Sequence, residues 1–69
     1  MKKRPPVNRT KLKALREARG WEIPDAAYHI GVSRQTLMYL ERGLVRRPNP
    51  LTLEAIAKTY DVPVEALVS

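Results

Sequence analysis

The chain has 69 residues, with 13 Lys or Arg against 7 Asp or Glu, a net charge of +6 with its single histidine neutral. That length holds one small domain and no second. The absence of cysteine excludes a disulfide framework, a thiolate zinc site and a cysteine nucleophile, and no apolar run approaches the roughly 20 residues of a membrane span.

Residues 1–7 hold three charges and two prolines without periodicity, and read as a flexible basic arm ahead of one domain over 8–69. Met1-Lys2-Lys3-Arg4 has the charge of a secretory leader, but Pro5-Pro6 stands where its apolar segment would begin. A cytoplasmic protein, nucleoid-associated when bound to DNA, is therefore expected. Asn8 is placed to cap a first helix, with Val7 and Leu12 as a hydrophobic staple. Leu12 and Leu15 follow at helical spacing, and Gly20 supplies the stop.

A second helix is expected to start near Glu22 to Pro24, since proline fits a first turn, with Ala26, Ala27 and Ile30 on its inner face and Gly31 at its end. Ser33 can accept from the Thr36 backbone N–H and so cap a third helix, whose buried stripe is Leu37 and Leu40 and whose end is Gly43. Residues 44–48 form a basic loop. Asn49-Pro50 pairs a cap with a first-turn proline, and Leu53, Ile56, Ala57 and Tyr60 trace a fourth helix. Asp61-Val62-Pro63 breaks it, and Val64 and Leu67 can bury one side of a short fifth helix. No segment alternates long enough to be a strand. The pattern predicts an all-α, compact five-helix bundle. Its core is Leu12, Leu15, Ala27, Ile30, Val32, Leu37, Leu40, Leu53, Ile56, Ala57 and Leu67, with Trp21 and Tyr60 partly enclosed. Helices this short are unstable alone and must pack on one another.

Charge is unevenly spread: residues 1–47 carry 12 basic and 4 acidic side chains, whereas residues 48–69 carry Lys58 against Glu54, Asp61 and Glu65. A small basic domain reads first as a polyanion binder, through counterion release from phosphates. The spacing of Ala27, Gly31, Val32 and Leu37 is that of a helix-turn-helix formed by helices two and three: a small residue for close approach, a glycine for the left-handed turn, and apolar plugs in the angle.

At these residues the chain resembles the Xre/Cro group of helix-turn-helix domains, related to lambdoid phage repressors and Cro proteins. The match runs through Leu15-Arg16-Glu17-Ala18-Arg19-Gly20, Ala26-Ala27, Gly31-Val32-Ser33-Arg34-Gln35-Thr36-Leu37 and Leu40-Glu41-Arg42-Gly43, and continues at Pro48, Leu53, Ile56-Ala57, Val62 and Leu67. The resemblance implies binding to double-stranded DNA, usually as a dimer, with the third helix in the major groove. It also implies a partly buried salt bridge between Arg16 and Glu41. The chain departs from the pattern where helix two opens. Glu22 and Ile23 stand in place of a hydroxyl residue and a phosphate-touching glutamine, and Ile23 cannot form that hydrogen bond.

Helical geometry sorts the third helix independently. With Leu37 and Leu40 inward, Gln35, Met38, Tyr39 and Arg42 face away, and Arg34 projects from the first turn. Arg pairs bidentately with guanine, Gln with adenine, and apolar groups meet the thymine methyl. Arg34, Gln35 and Tyr39 also match the family's base-reading positions, although the Tyr39 hydroxyl suits a phosphate as well. Ser33, Met38 and Asn49 border this face as candidates for base or backbone contact, with Asn49 having a capping role of its own. Arg42, Arg46 and Arg47 surround the helix end and are expected to clamp phosphates. Lys2, Lys3 and Arg4 could follow a groove or simply solubilise the chain.

His29 has no second histidine or cysteine to make a metal site, and neither a phosphate loop nor a Ser-His-acid set can be assembled. No cofactor, no metal, no small-molecule ligand, no membrane association and no enzymatic activity are expected. The expected function is that of a sequence-specific transcriptional regulator, a repressor, acting as a homodimer on a near-palindromic operator. Leu44, Val45, Val62, Val64 and Val68 are the apolar residues left for the dimer contact. The competing reading is a protein-interaction module, such as an antitoxin or docking domain, in which DNA binding is secondary. Non-specific DNA binding or RNA binding would not require the polar face at residues 34, 35 and 39.

Overall fold

The structure, a computed structural model, describes residues 6–45 and 47–68. They form four α-helices, α1 (Arg9–Ala18), α2 (Ile23–Ile30), α3 (Arg34–Arg42) and α4 (Pro50–Tyr60), and a 3-10 helix over Val64–Leu67. Each start has a local cause. Asn8 Oδ1 accepts from the Lys11 amide at 3.1 Å, and Ser33 Oγ accepts from the Thr36 amide at 3.1 Å. Asn49 Oδ1 accepts from the Leu51 amide at 2.8 Å. At α2 the cap is reversed: Asp25 Oδ2 accepts from the Glu22 amide at 3.0 Å. The helix ends follow the glycines, with Gly31 and Gly43 left-handed at φ 93° and 79°. α4 ends instead on a left-handed Asp61, φ 55°, a conformation that Asp tolerates better than most side chains.

Two expectations need correction. The fifth segment is not an α-helix. Only four residues lie between Pro63, which fixes its entry, and Val68, and the segment closes with the i→i+3 bond from the Ala66 amide to the Pro63 carbonyl at 2.9 Å. Val7 does not belong to the arm. It is buried, forms an isolated antiparallel bridge with Val68, and lies beside Asn8, whose amide donates to the Leu67 carbonyl at 2.7 Å. Val7 thus joins the core cluster and is tied to the segment that ends the fold. The other residues assigned to the arm, save Pro6, lie outside those described.

Leu12, Leu37, Leu40, Ile56 and Leu67 are fully buried and come from every element except α2, which contributes Ala26, Ala27 and Ile30. Leu15, Val32 and Leu53 pack against this cluster while staying half-buried. The small side chains of α2 allow α3 to approach it closely. In this way the core sets the inward face of α3, and with it the face that is left outside.

Candidate nucleic-acid interface

Leu37 and Leu40 anchor α3 in the core, leaving Arg34, Gln35, Thr36 and Arg42 exposed and Met38 and Tyr39 half-buried. The structure therefore brings Arg34, Gln35 and Tyr39 onto one side of one helix. Gln35 and Tyr39, one turn apart, are joined: the Gln35 amide Nε2 donates to the Tyr39 hydroxyl oxygen at 2.7 Å. Arg34 occupies the first position of a helix with no acidic residue in its first turn. A cation there opposes the helix dipole at a cost of roughly 0.3–1 kcal/mol.

The bordering candidates differ in what they have to offer. Ser33 Oγ, besides capping the helix, donates its proton to Thr36 Oγ1 at 2.8 Å, so its donor is already engaged. The Asn49 carbonyl oxygen is likewise engaged at the start of α4. Met38 and Ile23 line two shallow grooves that follow one another along α3. One is completed by Pro24, Ser33, Arg34 and Gln35, the other by Lys13, Arg16, Glu41 and Arg42. Ile23, where the family pattern has a polar residue, is half-buried and packs on the core. Arg42 and Arg47 are exposed at the end of α3 and in the following loop; Arg46, like Lys2, Lys3 and Arg4, lies outside the described residues.

Sequence reasoning missed Lys13, a cation on α1 sharing a groove with Arg42, and Arg9, whose Nη1 donates to the Arg42 carbonyl at 3.1 Å. Lys13 could have been found from its place beside Leu12, on the flank of the buried stripe. The Arg9 contact spans 33 positions and has no local signal.

The seat of α3 is held by Arg16 and Glu41. Arg16 Nε and Nη2 donate to the two Glu41 carboxylate oxygens at 2.9 and 3.0 Å, and Nη1 donates to the Trp21 carbonyl at 2.8 Å. The two side chains are 10% and 7% exposed. The hydrogen bonds it donates to Glu41 hold the Arg16 guanidinium even further above its ordinary pKa, against the opposing effect of burial. One guanidinium thus ties α1, the α1–α2 turn and α3 together.

His29 stacks on Trp21 with ring centroids 4.3 Å apart, meets Tyr28 edge-on, and its carbonyl accepts from the Thr59 hydroxyl. Arg19 lies over both Trp21 and Tyr60. These are packing roles. Among the described residues no group of three or more His, Cys, Asp or Glu could hold a metal ion, and no helix is long and apolar enough to cross a membrane.

The five residues assigned to a dimer contact divide. Leu44 is 66% exposed and Val45 is exposed beside it, but Val62 and Val64 pack against the chain's own core and Val68 is half-buried opposite Val7. Leu51, 74% exposed, was missed. Its signal was legible, since an apolar residue two positions before Leu53 falls off the buried stripe of α4.

Comparison with known proteins places this geometry. A family model described as "Helix-turn-helix domain" matches residues 9–68. An uncharacterized HTH-type transcriptional regulator of Mycobacterium tuberculosis, Rv0023, is 40% identical over 52 residues, which are 75% of this chain and 20% of that protein. The chain thus spans about a fifth of the length of that relative. Among solved structures, the biofilm master regulator SinR in complex with DNA superposes with a TM-score of 0.80 at 27% identity, over 86% of this chain and 97% of that one. The DNA-binding domain of SinR from Bacillus subtilis gives 0.77 at 28% identity, over 83% of each chain. The restriction-modification controller protein C.AhdI of Aeromonas hydrophila shares the fold, with a TM-score of 0.75 at 24% identity, over 84% of this chain and 86% of that one.

Proposed function

We propose, from the premise that the chain belongs to the helix-turn-helix domain family and within it to the Xre/Cro type, that it is a sequence-specific double-stranded DNA-binding domain of a transcriptional regulator. The observation that carries this reading is the outward face of α3. Arg34, Gln35 and Tyr39 are presented together on a scaffold that matches SinR, which is bound to DNA in its own structure. An α-helix with its side chains fits the roughly 12 Å width of the major groove. With Leu37 and Leu40 inward, α3 would enter by this polar face. Arg34 would address a guanine edge and Gln35 an adenine edge, with Met38 toward a thymine methyl. Arg42 and Arg47, joined by Arg46 and by Lys13, would hold phosphates on either side and fix the register.

One recognition helix reads too few base pairs to specify an operator. A second copy, related by a dyad, would double the readout on a near-palindromic site with half-sites about 34 Å apart. Among the described residues the exposed large hydrophobics are Tyr28, Leu44, Val45 and Leu51; the last three, in the loop after α3 and at the start of α4, would make that contact. Regulation would be repression, by occupancy of an operator overlapping a promoter.

Selection of bound duplexes from a random pool tests this directly. The expected product is a two-fold symmetric consensus whose affinity falls steeply with log salt. Salt-sensitive binding with no consensus would refute the reading in favour of non-specific binding, and the recovery of no duplex at all would refute it in favour of a protein-interaction module.

A further inference from the structure

The hydrogen bond between Gln35 and Tyr39 gives those two residues different roles. The Gln35 amide carries two N–H donors and a carbonyl oxygen. One N–H is engaged by the Tyr39 hydroxyl at 2.7 Å. The other N–H and the carbonyl remain, and they are the donor and acceptor that pair with N7 and N6 of adenine. The Tyr39 oxygen accepts from Gln35, so its own proton is left to donate outward. Gln35 is exposed, whereas Tyr39 is half-buried against the helix surface. An exposed glutamine samples many rotamers, and ordering it on binding weakens the complex. A half-buried phenol one turn away restricts those rotamers before DNA arrives.

We infer that Tyr39 is a positioning residue. Its hydroxyl holds the Gln35 amide ready to read adenine, so that the two side chains act as one specificity element. This rests on the DNA-binding reading above and adds to it a coupling that independent base contacts would lack. Arg34, adjacent to Gln35, has no part in that hydrogen bond and reads separately.

The test is a double-mutant cycle on the wild-type consensus duplex, using Gln35→Ala, Tyr39→Phe and the pair. Each protein is titrated against duplexes carrying the four base pairs in turn at every position, and thermal melts monitor the fold. Gln35→Ala is expected to remove the preference for A·T at one position per half-site. Tyr39→Phe, which keeps the ring, is expected to lower discrimination at that same position by about 3- to 10-fold, the range of one hydrogen bond, with an unchanged melt. In the Gln35→Ala background, Tyr39→Phe should then change nothing at that position. Three results would overturn the coupling while leaving specific binding intact: a Tyr39→Phe effect that persists without Gln35, a uniform loss over all sequences, or an unaltered base preference in Gln35→Ala. Absence of any consensus for the wild type would instead remove the DNA-binding reading itself, and the coupling with it.

Discussion

Removing the Glu41 carboxylate should destabilise this domain more than any change on its exposed face. In Glu41→Ala, Arg16 loses two of its three hydrogen-bond contacts, at 2.9 and 3.0 Å, and keeps only the Trp21 carbonyl at 2.8 Å. With both side chains at most 10% exposed, the guanidinium would stay largely out of water with its charge unpaired. Breaking a buried pair costs about 3–5 kcal/mol, against about 0.2–1 kcal/mol for an exposed one. The retained carbonyl contact places Glu41→Ala near the lower end, ~3 kcal/mol. For a domain of this size that corresponds to a fall in Tm of roughly 12–24 °C. Arg16→Ala should cost a similar amount. The double variant Arg16→Met, Glu41→Leu leaves no charge behind and should recover most of the loss. Circular dichroism melts and urea titrations of the four proteins compare them. Single-variant losses under about 1 kcal/mol, or a double variant no more stable than the less stable of the two alanine variants, would refute the reasoning.

Other expected outcomes follow from the site. Arg47→Ala should weaken all duplexes alike and reduce the slope of log K against log salt by about 1, whereas Arg34→Ala should relax preference at particular base pairs by ~1–3 kcal/mol; competition with single-base variants separates the two. Leu44→Glu should abolish cooperative occupancy of a full symmetric site while keeping the helical spectrum, and sedimentation with duplex would show one protein bound where the parent places two. Tyr60→Phe should hold or raise the Tm, because the buried Tyr60 hydroxyl has no hydrogen-bond partner among the described residues. Burial raises the Tyr60 pKa above 10.0, so the folded state keeps the phenol proton more tightly than the unfolded chain. Its contribution is complete below pH 10 and is lost as pH rises toward the folded value. Stability against pH should therefore fall less steeply above pH 10 in Tyr60→Phe than in the parent.

Local chemistry made most of the architecture legible. The caps Asn8, Ser33 and Asn49 and the stops Gly31 and Gly43 act within one turn of themselves, so four helices could be placed from the chain alone. Arg16 and Glu41 were legible only through resemblance, since their contact spans 25 positions. Features set by distant neighbours were not visible. The bridge of Val7 to Val68 and the hold of Arg9 on the end of α3 have no periodic signal. Val62 and Val64 looked available for a partner because a count of apolar residues does not say that the 3-10 segment folds back on the core. On the outward face of α3, spacing put Gln35 and Tyr39 side by side, but their hydrogen bond depends on two rotamers that sequence does not specify.

The meeting of the cap of α1 with the 3-10 helix has a consequence for the order of folding. The contact of Asn8 with Leu67 closes a loop of almost the entire chain, among the most demanding closures in conformational entropy that the fold contains. It is therefore expected among the last contacts to form and the first to open, and the Asn8 amide should exchange with solvent well ahead of those in the middle of α3. Asn8 is also the cap of α1, and Arg9, the next residue, holds the last carbonyl of α3. Opening there therefore reaches α3 through two adjacent residues, and Val68→Ala, which weakens the bridge to Val7 while leaving Leu67 in the core, should speed exchange at the C-terminal turn of α3, some 25 positions upstream.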